Sequence, residues 1–304
     1  MTAGQPGGIQ VSDADTVGKP TDFRRVGVLY HPLKPRSQDL AGEIAQALSN
    51  RDVETWLGQS RDDESVRAQL ADLDLLIVLG GDGSMLRAAR LSAGHDTPVL
   101  GINMGRIGFL SEMNPDNWRN RLPRIFEGQY WLEERMMLKA ETQRGQDVLG
   151  QHVALNDVVV SRGSLARVVH LETCIDGDEL TTYVADGLIV ATPTGSTAYA
   201  LAVGGPILPP ELRNIEVIPI AAHLSLDRAI VLAEGSTVSM RVKTDHQAIL
   251  TVDGQFEFEL LDGDRVEVSA SEHFSRFVRL GKRSDFYRML LSRLEPKSPA
   301  AETE

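Results

Sequence analysis

The chain has 304 residues, 42% hydrophobic and 24% charged, with a formal net charge of −12. That length holds one large domain or two ordinary ones, and the composition is that of a soluble globular protein. The acidic balance argues against broad nucleic-acid or anionic-membrane binding while leaving room for a local basic cleft. The single cysteine, Cys174, excludes an internal disulfide framework or a cysteine metal cluster and reads as a small core residue. No apolar run reaches membrane-spanning length and no signal-peptide pattern opens the chain, so a cytoplasmic protein is expected.

Residues 1–22 are rich in Gly, Thr, Asp and Pro with little to bury, the composition of a mobile tail. Arg25 to Tyr30 reads as a strand. Ser37 to Asn50, with Leu40, Ile44, Ala47 and Leu48 at helical spacing, reads as a helix. A short strand, Val53 to Leu57, and a helix, Glu64 to Leu70, follow. Leu75-Leu76-Ile77-Val78-Leu79 has no polar face and ends abruptly in Gly80-Gly81-Asp82-Gly83, then an amphipathic stretch. This predicts a buried strand, a tight turn and a helix start. Pro98 to Ile102 is another buried strand, and Asn114-Pro115 is expected to cap a helix running toward Phe126, bent or shortened at Pro123. Strands alternating with helices predict a parallel sheet with right-handed crossovers.

Near Tyr130 the texture changes, and the helix signal nearly vanishes until about residue 280. Runs at 157–160, 168–175, 188–191, 215–220, 229–232, 238–242, 248–252, 256–260 and 266–268 read as strands. Asp176-Gly177, Asp253-Gly254 and Asp262-Gly263 are turn signals between them. The expected organisation is a tail (1–22), an α/β domain (23–130), a β-rich domain (131–280), a helix (281–295) and a tail (296–304). Phe286, Leu290 and Leu294 share one face of the last helix, which should return to the α/β domain.

The glycine turn at 80–83 lies where parallel sheets meet phosphates at a helix N-terminus. Asp82 is the odd member, because a carboxylate repels phosphate. It makes sense if it takes a proton from an attacking hydroxyl or acts through a metal ion. The plain alternative is a turn whose Asp caps the helix. Asn103-Met104-Gly105-Arg106-Ile107-Gly108-Phe109-Leu110 follows a strand at the same sheet edge and could complete a nucleotide cleft, with Phe109 either core or a stacking face for a base. Thr192-Pro193-Thr194-Gly195-Ser196-Thr197-Ala198-Tyr199 puts four hydroxyls and a glycine between a buried strand and a helix-forming run, which suits phosphate or ribose oxygens or a simple hydroxyl cap. Asn156-Asp157, Asp186-Gly187 and Asp253-Gly254-Gln255 each read as either a turn or a site, the last more as a hairpin turn. His223 reads as a satisfied loop histidine and Asp227-Arg228 as a surface ion pair. The Gly-x-x-x-x-Gly-Lys-Ser/Thr and Gly-x-Gly-x-x-Gly phosphate loops, the Gly-x-Ser-x-Gly elbow and a His/Cys metal cluster are all absent.

Taken in order, these motifs resemble the NAD kinase family. The resemblance rests on Gly80 to Gly83, Asn103 to Leu110, Leu155-Asn156-Asp157, Asp186-Gly187, Thr192 to Tyr199, Gly204-Gly205-Pro206-Ile207 and the His223 region, and it covers residues from about 24 to 290. The first motif is shared with phosphofructokinases and diacylglycerol-type lipid kinases; the Thr192 to Tyr199 string is far more specific. The resemblance implies a Rossmann-like α/β domain plus a β-rich domain. It also implies transfer of the terminal phosphoryl group of ATP, or polyphosphate, to the adenosine-ribose 2′-hydroxyl of NAD, giving NADP, with Mg²⁺ or another divalent cation accompanying ATP. Asp82 matches the catalytic base. Gly80, Gly81, Gly83 and Asn103 match the phosphate loop, and Asp82 and Gly83 also match dinucleotide contacts, Gly83 through its backbone. Asn156, Asp157, Asp186, Thr197, Ala198, Tyr199 and Ala202 match dinucleotide contacts, and Arg167, Ala221 and Gln255 match by spacing. The family implies a homodimer or homotetramer whose site includes residues of a neighbouring subunit, with no nucleic-acid or membrane partner. Asp157 stands where Glu is frequent, and Ala222 stands where Pro commonly precedes His223. The competing readings are another kinase of this glycine-turn type, with a lipid or sugar acceptor, and a non-catalytic dinucleotide-binding regulator, which would be expected to lose the acid at position 82.

Overall fold

Three largely buried runs and one half-exposed edge run form the parallel strands β1 (Arg25–Tyr30), β3 (Leu75–Gly80), β4 (Val99–Asn103) and, at the edge, β2 (Glu54–Gln59). The computed structural model describes residues 23–105, 108–163, 167–223 and 226–294. Both expected tails, and Arg106 and Ile107 of the second loop, lie outside them. The strand order is β2-β1-β3-β4, every pair parallel. Every residue of β3 and β4 is buried, as a strand covered on both faces requires. The helices α1 (Pro35–Ser49), α2 (Asp63–Leu70) and α3 (Asp82–Ser92) supply the cover. On one face Leu40, Ile44 and Leu48 of α1 pack on Val26, Val28, Leu75 and Ile77. On the other, Val66, Leu70, Met85 and Ala89 pack on Leu76 and Val78.

The expected Asn114-Pro115 cap is a turn instead. The Asn114 side chain accepts from the N–H groups of Asp116 and Asn117, and α4 (Trp118–Phe126) starts four residues after Asn114. Pro123 sits inside that helix and does not end it. The proline lacks only the N–H that would have reached Arg119, while Trp118, Leu122 and Ile125 anchor the buried face.

The second half is β-rich, as expected, but the two halves share a sheet. The strand β16 (Arg265–Arg279) is far longer than the 266–268 run suggested. It pairs along one edge with β5 (Trp131–Arg144). Its other edge takes β13 (Val238–Lys243) at its start and, in parallel, β4 near its end, where Phe277 lies opposite Val99. The ten-stranded sheet continues from β13 to β8 (Val169–Ile175) and β9 (Asp178–Ala185), and β6 (Asp147–Ala154) pairs with β5. A second, antiparallel sheet runs β12 (Ile230–Ala233), β11 (Asn214–Ile220), β10 (Gly187–Ala191), β7 (Asp157–Arg162), β14 (Ala248–Val252), β15 (Phe256–Leu260). Inward residues of both sheets, among them Val158, Val160, Leu171, Tyr183, Leu188, Val217, Met240, Leu250 and Val268, form one core.

Alternation explains one correction. Val169, Leu171 and Thr173 face that core, so Cys174 falls on the other side of β8 and is half-buried instead of a core residue. The hydroxyl-rich run also differs from expectation. In place of a full helix it makes a 3₁₀ turn (Gly195–Thr197) and a single helical turn, α5 (Tyr199–Ala202). The Ser196 and Thr197 hydroxyls donate to the carbonyls of Pro193 and Thr194, a local pairing that competes with helix propagation. The last helix, α6 (Asp285–Leu294), returns toward the first half as expected, with the Phe286 ring 5.9 Å from that of Phe109. It buries no residue fully, and Leu294, expected on its packed face, is exposed.

Candidate active site

The β3 run is apolar until Gly80, where the chain leaves the sheet at its carboxyl edge. Gly81 caps α3 in an extended conformation, so Asp82 stands in the first helical turn. The N–H groups of Ser84 and Met85 both turn back to the Gly81 carbonyl. Helix geometry leaves the preceding N–H groups free for an anion. The Asp82 carboxylate points toward the loop after β4. A β-carbon at Gly108 would collide with it, so that loop needs glycine to come this close. One carboxylate oxygen, Oδ1, is buried with no protein hydrogen-bond partner, and the other lies 3.7 Å from Nη2 of Arg293 on α6. Burial pushes the Asp82 carboxyl above its ordinary value, opposed by Arg293, Arg135 and Arg279.

Sequence inspection did not single out those arginines. Arg135, on β5, and Arg279, at the end of β16, are buried and share the Glu133 carboxylate, at 2.9 and 2.7 Å. Burial alone would raise Glu133, but the two guanidinium groups outweigh it and hold it down at about 2. The net cationic charge of this trio acts on Asp82. Arg135 also donates to the Thr194 hydroxyl at 3.3 Å, tying the cluster to the hydroxyl-rich segment. Arg279 donates to the carbonyl of Phe109. The Phe109 ring, half-buried, packs against Phe286 and under the Arg293 guanidinium, so its exposed face is taken by α6.

Asp253 was also undervalued. It does occupy the β14–β15 hairpin turn, with φ of 52°, but its carboxylate turns inward. It accepts from the N–H groups of Leu155, Asn156 and Asp157 and pairs with Arg90 of α3 at 3.1 Å. One buried carboxylate therefore fastens the Asn156-Asp157 segment to the helix that carries Asp82. The Thr192 hydroxyl holds the other side of the segment, donating to the Leu155 carbonyl at 2.6 Å. Gly195 lies so close to the backbone of Asn156 that a β-carbon could not fit. Gln255 bridges the halves, donating to the Gly83 carbonyl at 2.7 Å and accepting from Arg90 at 2.8 Å. Burial and the neighbouring Asp253 charge push Asp157 up to about 7.

The structure thus gathers Asp82, Gly80, Gly81, Gly83, Asn103, Asn156, Asp157, Gln255 and the Thr194–Tyr199 segment at one edge, where the two halves meet. Asn103 lies opposite Gly80 in the sheet, its side-chain oxygen accepting from the Gly105 N–H. Thr197 and Ala198 are half-buried, while Tyr199 and Ala202 are exposed. Asp186, Ala221, His223 and Arg167 lie elsewhere. Asp186 precedes β10, whereas Thr192 follows it, so the two ends stand roughly 16 Å apart at about 3.3 Å per residue. There Asp186 pairs with Arg162 at 2.9 Å, Ala221 has a φ of 48°, and the His223 N–H donates to the Val184 carbonyl. Arg167 leads into β8 beside that same end, where Val169 lies opposite Ala185.

This arrangement can accept a hydroxyl proton at Asp82, receive an anion at the start of α3, and hold a polar ligand between the halves. Residues 155–280 match the family model described as the ATP-NAD kinase C-terminal domain, and residues 61–130 match the ATP-NAD kinase N-terminal domain. The chain is similar to the NAD kinase of Chloroflexus aurantiacus, 45% identical over 272 residues that cover 90% of this chain and 99% of that one. It is 38% identical over 289 residues to the NAD kinase of Geobacter metallireducens, with 90% and 99% covered. Among solved structures it resembles yeast NADH kinase complexed with NADH, with a TM-score of 0.82 and 25% identity over 93% of this chain and 91% of that one. An NAD kinase from Archaeoglobus fulgidus in complex with ATP gives a TM-score of 0.73 at 28% identity, with 88% and 99% covered.

Proposed function

The chain belongs to the NAD kinase family of phosphotransferases, and on that premise we propose that it moves the terminal phosphoryl group of ATP to the adenosine-ribose 2′-hydroxyl of NAD, giving NADP. The observation that carries this reading is Asp82: a carboxylate with one buried, unpartnered oxygen, set at a helix start and raised by burial toward the range of a useful base. In the reaction the acceptor oxygen bonds to the γ-phosphorus. The bond from that phosphorus to the β–γ bridging oxygen breaks, and its electron pair leaves with ADP. The hydroxyl proton passes to Asp82. Arg135, Arg279 and Arg293 favour the ionised form of Asp82 and oppose the larger effect of burial.

Asn156, Asp157 and the Thr194–Tyr199 segment are the proposed seat of the adenosine half of NAD. Among the described residues no three His, Cys, Asp or Glu side chains group as a metal site. A divalent ion entering on the donor phosphates, with no more than two protein carboxylates, fits that donor set, as is usual for Mg²⁺. The separate group of Asp186, Arg167, Ala221 and His223 supports assembly as a homodimer or homotetramer, in which that edge faces the Asp82 cleft of a second subunit. No helix among the described residues is long and apolar enough to cross a membrane. The direct test is to incubate purified protein with NAD, ATP and Mg²⁺ and to read product with an NADP-specific dehydrogenase. NADP formation is the expected outcome. ATP consumption only with a sugar or lipid acceptor would replace this reading with the rival kinase.

A further inference from the structure

Glu216 is a buried titratable group that the proposed reaction does not use. It lies on β11, opposite Ala191 of β10 on one side and Val231 of β12 on the other. Ile215 and Val217 point into the core between the two sheets, so alternation turns Glu216 to the outer face. That face is apolar, with Ile189, Ala191, Ala200 and Ile218 forming a small cluster of their own. The residue is fully buried there, and neither carboxylate oxygen has a hydrogen-bond partner.

What covers Glu216 is the stretch of chain that follows the hydroxyl-rich segment. A β-carbon at Gly205 would collide with Oε1 of Glu216 and with the Ala200 carbonyl, so the backbone after α5 rests directly on the carboxyl group. The Gly205 N–H donates to that Ala200 carbonyl at 2.9 Å, and Gly204 takes a φ of 90°. Three residues on, the Leu208 N–H donates to the Ser196 hydroxyl at 2.9 Å. The 204–208 segment is therefore fastened on both sides of Thr197, Ala198 and Tyr199. Beneath Glu216, the ladders to β10 and β12 fix the floor. Above it, α5 is a single helical turn, and Gly204 and Pro206 are exposed, so the cover is the part that can yield.

We propose that Glu216 is a positioning residue for the adenosine seat: as a neutral acid it lets the 204–208 segment close over it, and on losing its proton it lifts that segment and weakens NAD binding. The inference rests on the seat assigned above. A neutral carboxyl can stay in an apolar layer at modest cost, whereas a lone carboxylate has to reach water. Among the described residues no charged group faces Glu216. Ile189 and Ala191 come from β10, Val231 from β12, Asn214 and Ile218 from its own strand, and Ala200 and Gly205 from α5 and the backbone after it. Burial alone raises it, to about 7. The released proton goes to solvent. Asp82 and the glycine turn stand on another element, so ionisation of Glu216 bears on dinucleotide binding and not on the base.

Asp157 belongs to the same proposed seat and also titrates near 7, so the parent's pH profile does not by itself isolate Glu216. The test compares the full-length parent with Glu216→Gln, which stays neutral, and Glu216→Asp, which keeps a titrating carboxyl. KM for NAD should rise between pH 6 and pH 8.5 in the parent and in Glu216→Asp, and that rise should be at least about threefold smaller in Glu216→Gln. KM for ATP should show no such difference. Hydrogen–deuterium exchange over residues 196–208, corrected for its intrinsic pH dependence, should quicken across the same interval in the parent and not in Glu216→Gln. An equal rise in KM for NAD in parent and Glu216→Gln, or equal exchange in the two, would overturn the proposal. A rise missing from Glu216→Asp as well would assign the effect to packing and not to charge, and would also overturn it. Where Glu216→Gln does not fold, Glu216→Leu, neutral and close in volume, takes its place in both measurements. If the parent makes no NADP, the kinase reading fails, while the exchange comparison still decides whether the charge on Glu216 controls the segment above it.

Discussion

Asp82 is held between burial, which favours its neutral form, and three guanidinium groups, which favour its charged form. Arg293 acts most strongly of those cations and sits on α6, away from the buried trio, 3.7 Å from the Asp82 carboxylate. Removing it as Arg293→Ala takes away part of the opposition to burial, so the Asp82 carboxyl rises further. The acid limb of the kcat/KM profile should then move to higher pH, and an acid limb that stays in place would show that Asp82 does not set it. Glu216 has a different exposure to pH. It is fully buried on β11 with both carboxylate oxygens unpartnered, and burial pushes it up to about 7. A folded value above the unfolded one means the folded state holds the proton longer, so stability falls as pH rises from about 4.5 to about 7. Glu216→Gln lacks that loss. Its stability relative to the parent should increase between pH 5 and pH 8 by roughly 1–3 kcal/mol, read from denaturant midpoints. Asp157, raised for a similar reason, adds to the parent's slope in the same direction.

Among the elements, α3 does the most to align the site, because it carries Asp82 at its start and Arg90 near its end. Arg90→Ala would leave the Asp253 carboxylate buried without its cation, a loss of about 3–5 kcal/mol for a broken buried pair. The 155–157 segment would loosen with it, so KM for NAD should rise more than kcat falls. Equal loss of both would place Arg90 outside ligand binding. Asp253 also marks where sequence reading stopped. An Asp-Gly pair between two strands is a turn by any spacing argument, and only the fold shows its carboxylate turned inward onto three N–H groups. Arg135 and Arg279 escaped notice for a related reason: each is one of several charges in a long strand, and only the register of β5 on β16 brings them together. By contrast β1, β3, β4 and the glycine turn were legible, because short, mostly apolar runs bounded by polar or turn residues have few other uses, and the β3 run ends in glycine. β5 and β6 were not among the expected strands. Their charged residues blur the alternation along strands that run partly at the sheet margin.

On the scale of the whole molecule, β16 makes two halves into one body by pairing with β13 and β4 on a single edge, which no sequential division of the chain anticipates. The Asp82 cleft lies at that junction, and the Asp186 group lies at the far end of the second sheet. If a neighbouring subunit supplies that group, two inactive variants can complement each other. Asp82→Asn and Asp186→Ala, mixed after mild dissociation and reassembly, should recover NADP formation absent from either alone. No recovery in assemblies shown by mass to be mixed would confine each site to one chain.

The central claim is that Asp82 takes the proton of the acceptor hydroxyl. The most direct measurement pairs turnover with binding in Asp82→Asn, using a coupled NADP assay and equilibrium titration with NAD. The amide keeps the shape and loses the base. NADP formation should therefore fall by about 10²–10⁴-fold while the Kd for NAD stays within about threefold. Turnover close to that of the parent, with NAD bound as before, would contradict the account.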